Sequence, residues 1–319
     1  MFDTIDYNHE APALTLGTKV PTESENIVEA LLSADIPFDA PVKVPMASVL
    51  PDGGVRVIPD RYNLMDSRGR IVGENVTDRY TPIGFGEMFG VVDHLLHQGR
   101  VIDFNGRRLF VSVELTQYQF DVTGDGDLVT PHAWIRGSHD SSSSTEVFIA
   151  LGRGYCTNQL VATKQMVKRM GLPHISVRHT RSAPDRLRMA AELFSNCERM
   201  ILSQKEIMQR FAATPFSATA FADLVDNLIP LPEEPLEGES TRGYTMAENR
   251  RGLLFDLYEY GRGAHSGRGT KWQALNAVTE YTTHHIATRG GDREEKLFLG
   301  SIEGPAAKLN ERAMELLNA

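Results

Sequence analysis

Residues 137 to 144 read Gly-Ser-His-Asp-Ser-Ser-Ser-Ser, and Cys156 follows shortly after. A histidine beside hydroxyls and a thiol is raw material for nucleophilic catalysis. That chemistry needs a base within hydrogen-bond reach of the nucleophile and a third group to orient the base. Neighbours on extended chain point to opposite faces, so His139 and Asp140 do not orient each other. The serines also lack the Gly-x-Ser-x-Gly elbow. The stretch is therefore read as a polar loop offering hydroxyls and amides to phosphate.

Asn276, Glu280 and His284 recur at intervals of four, which puts them on one face of a helix. A carboxylate and an imidazole there could hold a metal, but two ligands on one helix leave the set incomplete. No metal and no other cofactor is expected. Gly124-Asp125-Gly126-Asp127 lacks the twelve-residue ligand pattern of a calcium loop and is read as a tight turn.

The remaining candidates are cations. From Leu151 to Ala191 there are eight Lys or Arg residues and a single acid, Asp185. The eight are Arg153, Lys164, Lys168, Arg169, Arg178, Arg181, Arg186 and Arg188. The whole chain carries a formal charge of −9, so charge is segregated along it, which points to an anionic partner. A second stretch, Gly261 to Trp272, is glycine-rich, holds Arg262, Arg268 and Lys271, and has no acid. Such a loop can bring amides and guanidinium groups to phosphates. It matches neither a P-loop nor a dinucleotide fingerprint. Tyr155 and Trp272 are the aromatics beside basic residues, and so the expected stacking partners for bases. Aromatics at only 8% count against a surface that stacks many bases. In the turn Arg153 to Asn158, Asn158 is expected to open a helix whose free amides favour an anion.

The elements that must position these groups follow from pattern. The 319 residues are 41% hydrophobic and 24% charged, as in a globular protein. No apolar run reaches the roughly 18 residues that cross a bilayer. The first residues have neither the basic start nor the apolar core of a secretory signal. Cys156 and Cys197 are accordingly expected as reduced thiols in a cytoplasmic protein. A capping box at Thr22 and Glu25 predicts a helix to Ser33. Strands are predicted at 42–50, at 53–59 and in a hairpin that turns at Asp66 to Gly69. A helix is predicted from Phe85 to Leu96, ended by Gly99. Arg108 to Phe120 alternates as a half-buried strand, and further strands are predicted at 128–135, 145–151 and 174–179. Asn158 to Met170 is predicted helical. Beyond Ser182 one helix carries an apolar stripe through Phe211, and others follow at 246–260, 270–287 and 305–317. The fold class is α+β: a mixed or antiparallel sheet with packed helices, then a helical C-terminal region. The boundary is placed between residues 1–181 and 182–319, with an acidic loop at 230–243.

Ordered motifs run the length of the chain. They are Leu16-Gly17-Thr18, Asp78 to Pro82 (DRYTP), Gly137 to Asp140 (GSHD), Arg153 to Asn158 (RGYCTN), Arg178-His179-Thr180 and Trp272 to Tyr281 (WQALNAVTEY). In this order they resemble a family of phage- and plasmid-borne proteins filed as a domain of unknown function. The resemblance implies an origin in a bacteriophage or mobile element, beside replication and recombination genes. The order of elements is also similar to the core of Rad52- and RecT-type single-strand annealing proteins, a likeness of fold alone.

The expected function is a phage-type single-stranded DNA-binding protein, with strand annealing as its finer form. It is expected to be a homo-oligomer, not bound to membrane, with host or phage replication proteins as further partners. Two alternatives stay open: a metal-dependent hydrolase using His139, Asp140, Glu280 and His284, and a protein that binds a host factor through its basic face.

Overall fold

The computed structural model describes residues 18–19, 36–91, 98–104, 107–153, 159–161, 174–194, 197–236, 241–286, 300 and 304–319. The chain is an α+β protein with two antiparallel sheets and a helical C-terminal region. No helix among the described residues is long and apolar enough to cross a membrane.

The large sheet runs β1 (Thr18–Lys19), β5 (Gln98–Phe104), β6 (Arg108–Glu114), β8 (Leu128–Ser138), β9 (Thr145–Arg153) and β10 (Gln159–Val161). The short β7 (Phe120–Asp121) pairs with β8, and β11 (His174–Val177) shares the outer edge of β9 with β10. β6 was expected to be half-buried, yet Leu109 to Val113 are all buried. The alternation of apolar and polar residues fails as a guide because the sheet is packed on both faces. On one face Met88 lies where a side chain at Gly137 would stand. On the other, Phe110, Trp134 and Phe148 form a row of edge-to-face rings with centroids 5.5 and 5.4 Å apart.

The small sheet is β2 (Val42–Val49), β3 (Val55–Met65) and β4 (Ile71–Val76). Asp66 turns β3 into β4, its carboxylate accepting from the amides of Arg68 and Arg70 and from the Arg70 guanidinium. This sheet has a core of its own, Leu64, Val72 and Val76, flanked by Tyr62 and Tyr80. Most of the other buried apolar residues described form one continuous core from Ile36 to Leu317.

Helix α1 (Phe85–Phe89) ends at Gly90, whose N–H donates to the Gly86 carbonyl. Gly99 lies inside β5 and ends nothing. The predicted helix over 158–170 is corrected at its start, because Gln159 to Val161 pair with β9 as β10. The rest of it lies outside the described residues, as does the capping-box helix at 22–33. The long helix after Ser182 is two helices, α2 (Ala183–Phe194) and α3 (Cys197–Ala213). Along them Ala190, Cys197, Ile201, Met208 and Phe211 are buried as the stripe required. α4 (Ala218–Leu228) starts under a Ser217 cap that accepts from the Ala220 amide. α5 (Arg242–Tyr260), α6 (Lys271–Glu280) and α7 (Pro305–Asn318) complete the layer.

Candidate functional site

β9 pairs with β8 on one side and β11 on the other, so the ends of β8 and β11 flank the start of β9. His139 follows β8 by one residue and His179 follows β11 by two. The segments 78–82, 137–140 and 178–180 therefore meet at one corner. Nothing in their spacing announces this; strand register alone decides it. The His139 ring is 1% exposed and stacks on Phe85, with centroids 3.8 Å apart. Its Nε2 lies 3.0 Å from the Ile83 carbonyl, which can only accept, so Nε2 carries the proton. Nδ1 is then a buried lone pair with no partner among the described residues. The His179 ring stacks on Tyr80 at 4.9 Å, and its Nε2 lies 3.3 Å from Thr145 Oγ1. The Tyr80 hydroxyl is buried without a partner among the described residues.

Burial pushes both imidazoles down to about 4 and raises the Tyr80 hydroxyl above its usual range. All three groups are neutral at neutral pH. Asp140 turns away to Arg108, 3.2 Å from Oδ2, and to the Ser142 amide. Burial raises its pKa, but these hydrogen bonds outweigh burial and hold it below the ordinary value. His139 and Asp140 thus do not serve each other, as the sequence suggested. The corner is a joint between the two sheets, made by His139 against Phe85 and the Ile83 carbonyl and by His179 against Tyr80.

The joint is tight. A Cβ on Gly73 of β4 would stand 2.4 Å from the His139 carbonyl oxygen and 3.3 Å from Asp140 Cα. Backbone contacts this close cannot move aside cheaply. Gly73→Ala is expected to destabilise the protein by about 1–3 kcal/mol. A thermal melt indistinguishable from wild type would show that the joint yields freely.

Cations rim this corner. Arg178, Arg181, Arg186 and Arg188 are exposed on the segment from the end of β11 into α2. Arg181 lies 3.6 Å from Asp78 and Arg188 lies 2.9 Å from Asp185, with the two guanidinium side chains 85% and 79% exposed. Pairs so open to water contribute little. Arg107 and Arg108 stand at the same end of the sheet, facing Glu74 and Asp140. The serine run is an ordered turn. Ser138 Oγ accepts from the Ser143 amide, and Ser144 Oγ lies 2.8 Å from Ser176 Oγ. Glu146 pairs with Arg136 at 3.0 Å. The Arg153 side chain, Tyr155, Cys156, Asn158, Lys164, Lys168 and Arg169 lie outside the described residues.

The glycine-rich loop is corrected. α6 is buried on every side from Trp272 to Glu280, and its polar side chains hold the loop. Glu280 accepts from the amides of Arg262 and Gly263, and Gln273 from that of Gly269. Lys271 donates to the Leu317 carbonyl at the end of α7. Arg268 is exposed beside Glu259, 3.7 Å away. Trp272 is 0% exposed, and its indole N–H donates to Asp127, 2.8 Å away. Ser266 donates to the same carboxylate oxygen at 2.5 Å. These amides and this ring are committed inside the fold, so neither can meet a phosphate or a base. Asp127 belongs to the turn first read as calcium-like. There the Asp121 carboxylate accepts from the amides of Thr123, Gly124 and Gly126, with both glycines at positive φ.

The helical stripe does not form a ligand set either. Glu280 is spent on the loop, and a π-helical turn over Tyr281–His285 breaks the spacing before His284. Among the described residues no three His, Cys, Asp or Glu side chains converge as a ligand set. Cys197 is a buried thiol pushed up to about 11 by burial.

No curated protein and no solved structure matches the chain. Nothing beyond the order of elements therefore supports the likeness to Rad52 and RecT. One family model does match, over residues 73–299, a span that begins at Gly73 and contains the histidine corner and α6. The chain belongs to this family, described as a domain of unknown function, DUF932.

Proposed function

We propose that the chain binds single-stranded DNA, with phosphates lying along Arg178, Arg181, Arg186 and Arg188. The observation that carries this reading is the exposure of these four guanidinium groups within one short segment. Arg181 and Arg188 are held by open ion pairs, so phosphate can replace Asp78 and Asp185 at small cost. The serine turn and Arg107 and Arg108 at the same sheet end extend the polar surface. An origin in a phage or mobile element, strand annealing and action beside replication proteins are the finer form of this proposal. The hydrolase alternative finds no observation in its favour, since Asp140 and Glu280 are hydrogen-bonded elsewhere.

Fluorescence anisotropy with labelled oligodeoxythymidine tests the reading. Affinity is expected to fall steeply with salt, because bound phosphates release counterions. Arg181→Glu with Arg186→Glu should weaken binding at least tenfold and flatten the salt slope by about 1.4, the value for two phosphate contacts on a single strand. Wild-type protein that binds no oligonucleotide at low salt, or a double variant that binds equally well, would end it.

A further inference from the structure

Helices α1 and α2 leave a cleft between them beside the arginine segment. On α2, Pro184, Leu187, Arg188 and Ala191 recur at intervals of three and four, so they share one face of the helix. Glu87 on α1 and Val91 just beyond it line the other wall. The cleft holds about 330 Å³, at the small end of the roughly 300–1,000 Å³ usual for ligand sites. It has room for one flat ring system and not for a length of chain. Val91 and Leu187 are buried, and with Pro184 and Ala191 they make the walls apolar. The two charged groups, Glu87 and Arg188, are both exposed. Arg188 pairs with Asp185 on its own helix, 2.9 Å away, and Glu87 belongs to the facing wall.

We infer that this cleft takes one base of a bound single strand and prefers guanine. The inference rests on the proposal that the chain binds single-stranded DNA. Three observations select a base as the occupant. Arg188 ends the four-arginine segment, so a strand whose phosphates follow that segment passes the mouth of the cleft. Apolar walls cover the faces of a base, as they do in pockets for extruded nucleotides. The Glu87 carboxylate accepts hydrogen bonds and donates none, so it sorts bases by the donors on their edges.

That sorting has a definite order. Guanine presents N1–H and N2–H side by side, one for each carboxylate oxygen. Cytosine and adenine each present an amino group beside a bare ring nitrogen, so they offer the carboxylate one donor. Thymine presents a single N–H between two carbonyl oxygens, and those oxygens repel a carboxylate. Guanine should therefore bind best and thymine worst.

Fluorescence anisotropy with two labelled oligodeoxynucleotides of equal length tests the inference, one of thymine alone and one with guanines spaced singly among the thymines. The guanine strand is expected to bind at least fivefold more tightly, the low end of discrimination by a bidentate contact. Glu87→Gln should abolish that ratio, because the amide puts a donor where guanine needs a second acceptor. Ala191→Phe, which fills the cleft from α2, should abolish it too. Taking the ratio within each variant removes any general change in affinity. Both variants should melt as wild type does, because Glu87 is exposed and Ala191 only half-buried. Equal binding of the two strands by the wild-type chain overturns the inference and leaves the phosphate contacts standing. Binding of neither strand removes both readings. A Glu87→Gln or Ala191→Phe variant that melts normally and keeps the guanine preference also overturns the inference.

Discussion

Trp272→Ala is expected to lower the stability of the protein by about 3–5 kcal/mol, the usual cost of emptying a fully buried aromatic site. The indole is 0% exposed and stands where α6 meets the β7–β8 turn. Its loss leaves a cavity and also strips one donor from Asp127, a carboxylate 3% exposed. Trp272→Phe separates the two effects. It keeps most of the volume and removes only the N–H, so the expected loss is about 1–3 kcal/mol, with Ser266 still donating to Asp127. Urea titration followed by circular dichroism gives both numbers. The phenylalanine variant should bind oligonucleotide as wild type does. A variant that is stable but fails to bind would return the indole to the DNA surface.

Acid is expected to undo the sheet corner before it touches the carboxylates. In the folded chain His139 and His179 titrate near 4, against 6.5 for an unperturbed ring. As pH falls below about 6.5 the unfolded chain takes up protons that the folded chain refuses, so stability is complete above that value and is lost between it and about 4. Each ring accounts for about 3 kcal/mol over the full window. Asp66, Asp121 and Asp140, all held low, add their losses below the ordinary carboxylate value. Urea midpoints measured from pH 7 to about 4.5 should fall steadily. His139→Gln keeps a donor for the Ile83 carbonyl and should make the fall about half as steep. An unchanged slope would show that His139 is not a source of the acid sensitivity.

The elements themselves were largely legible. The hairpin turn at Asp66, strands β8, β9 and β11, and helices α5 and α7 lie close to where apolar period and turn residues put them. What failed had a physical cause. Alternation misjudged β6 because both faces of its sheet are covered, which no local pattern can reveal. The stripe of Asn276, Glu280 and His284 assumed an uninterrupted α-helix, and a π turn breaks it. Trp272 was taken for a surface ring because cations surround it in sequence. In the fold, polar side chains of α6 and the Asp127 carboxylate draw the whole loop inward. His139 was singled out for its chemistry, but its true neighbours, Ile83, Phe85 and His179, are brought to it only by the fold. The exposed arginines of the 178–188 segment are where charge counting put them.

The separate core of the small sheet has a kinetic consequence. Three buried side chains, Leu64, Val72 and Val76, hold it together. At roughly 1.5–3 kcal/mol each they oppose an ordering cost of about 1 kcal/mol or more for every residue of the sheet. The small sheet should therefore open as a unit while the large one stays closed, in the manner of a local unfolding event. Its amides should exchange with deuterium far sooner than those of β8, which is paired along both edges. Each such opening would lift β4 off the His139 turn and expose the two imidazoles to solvent for a moment. The histidine corner would then be chemically reachable only at the frequency with which this small flap breathes.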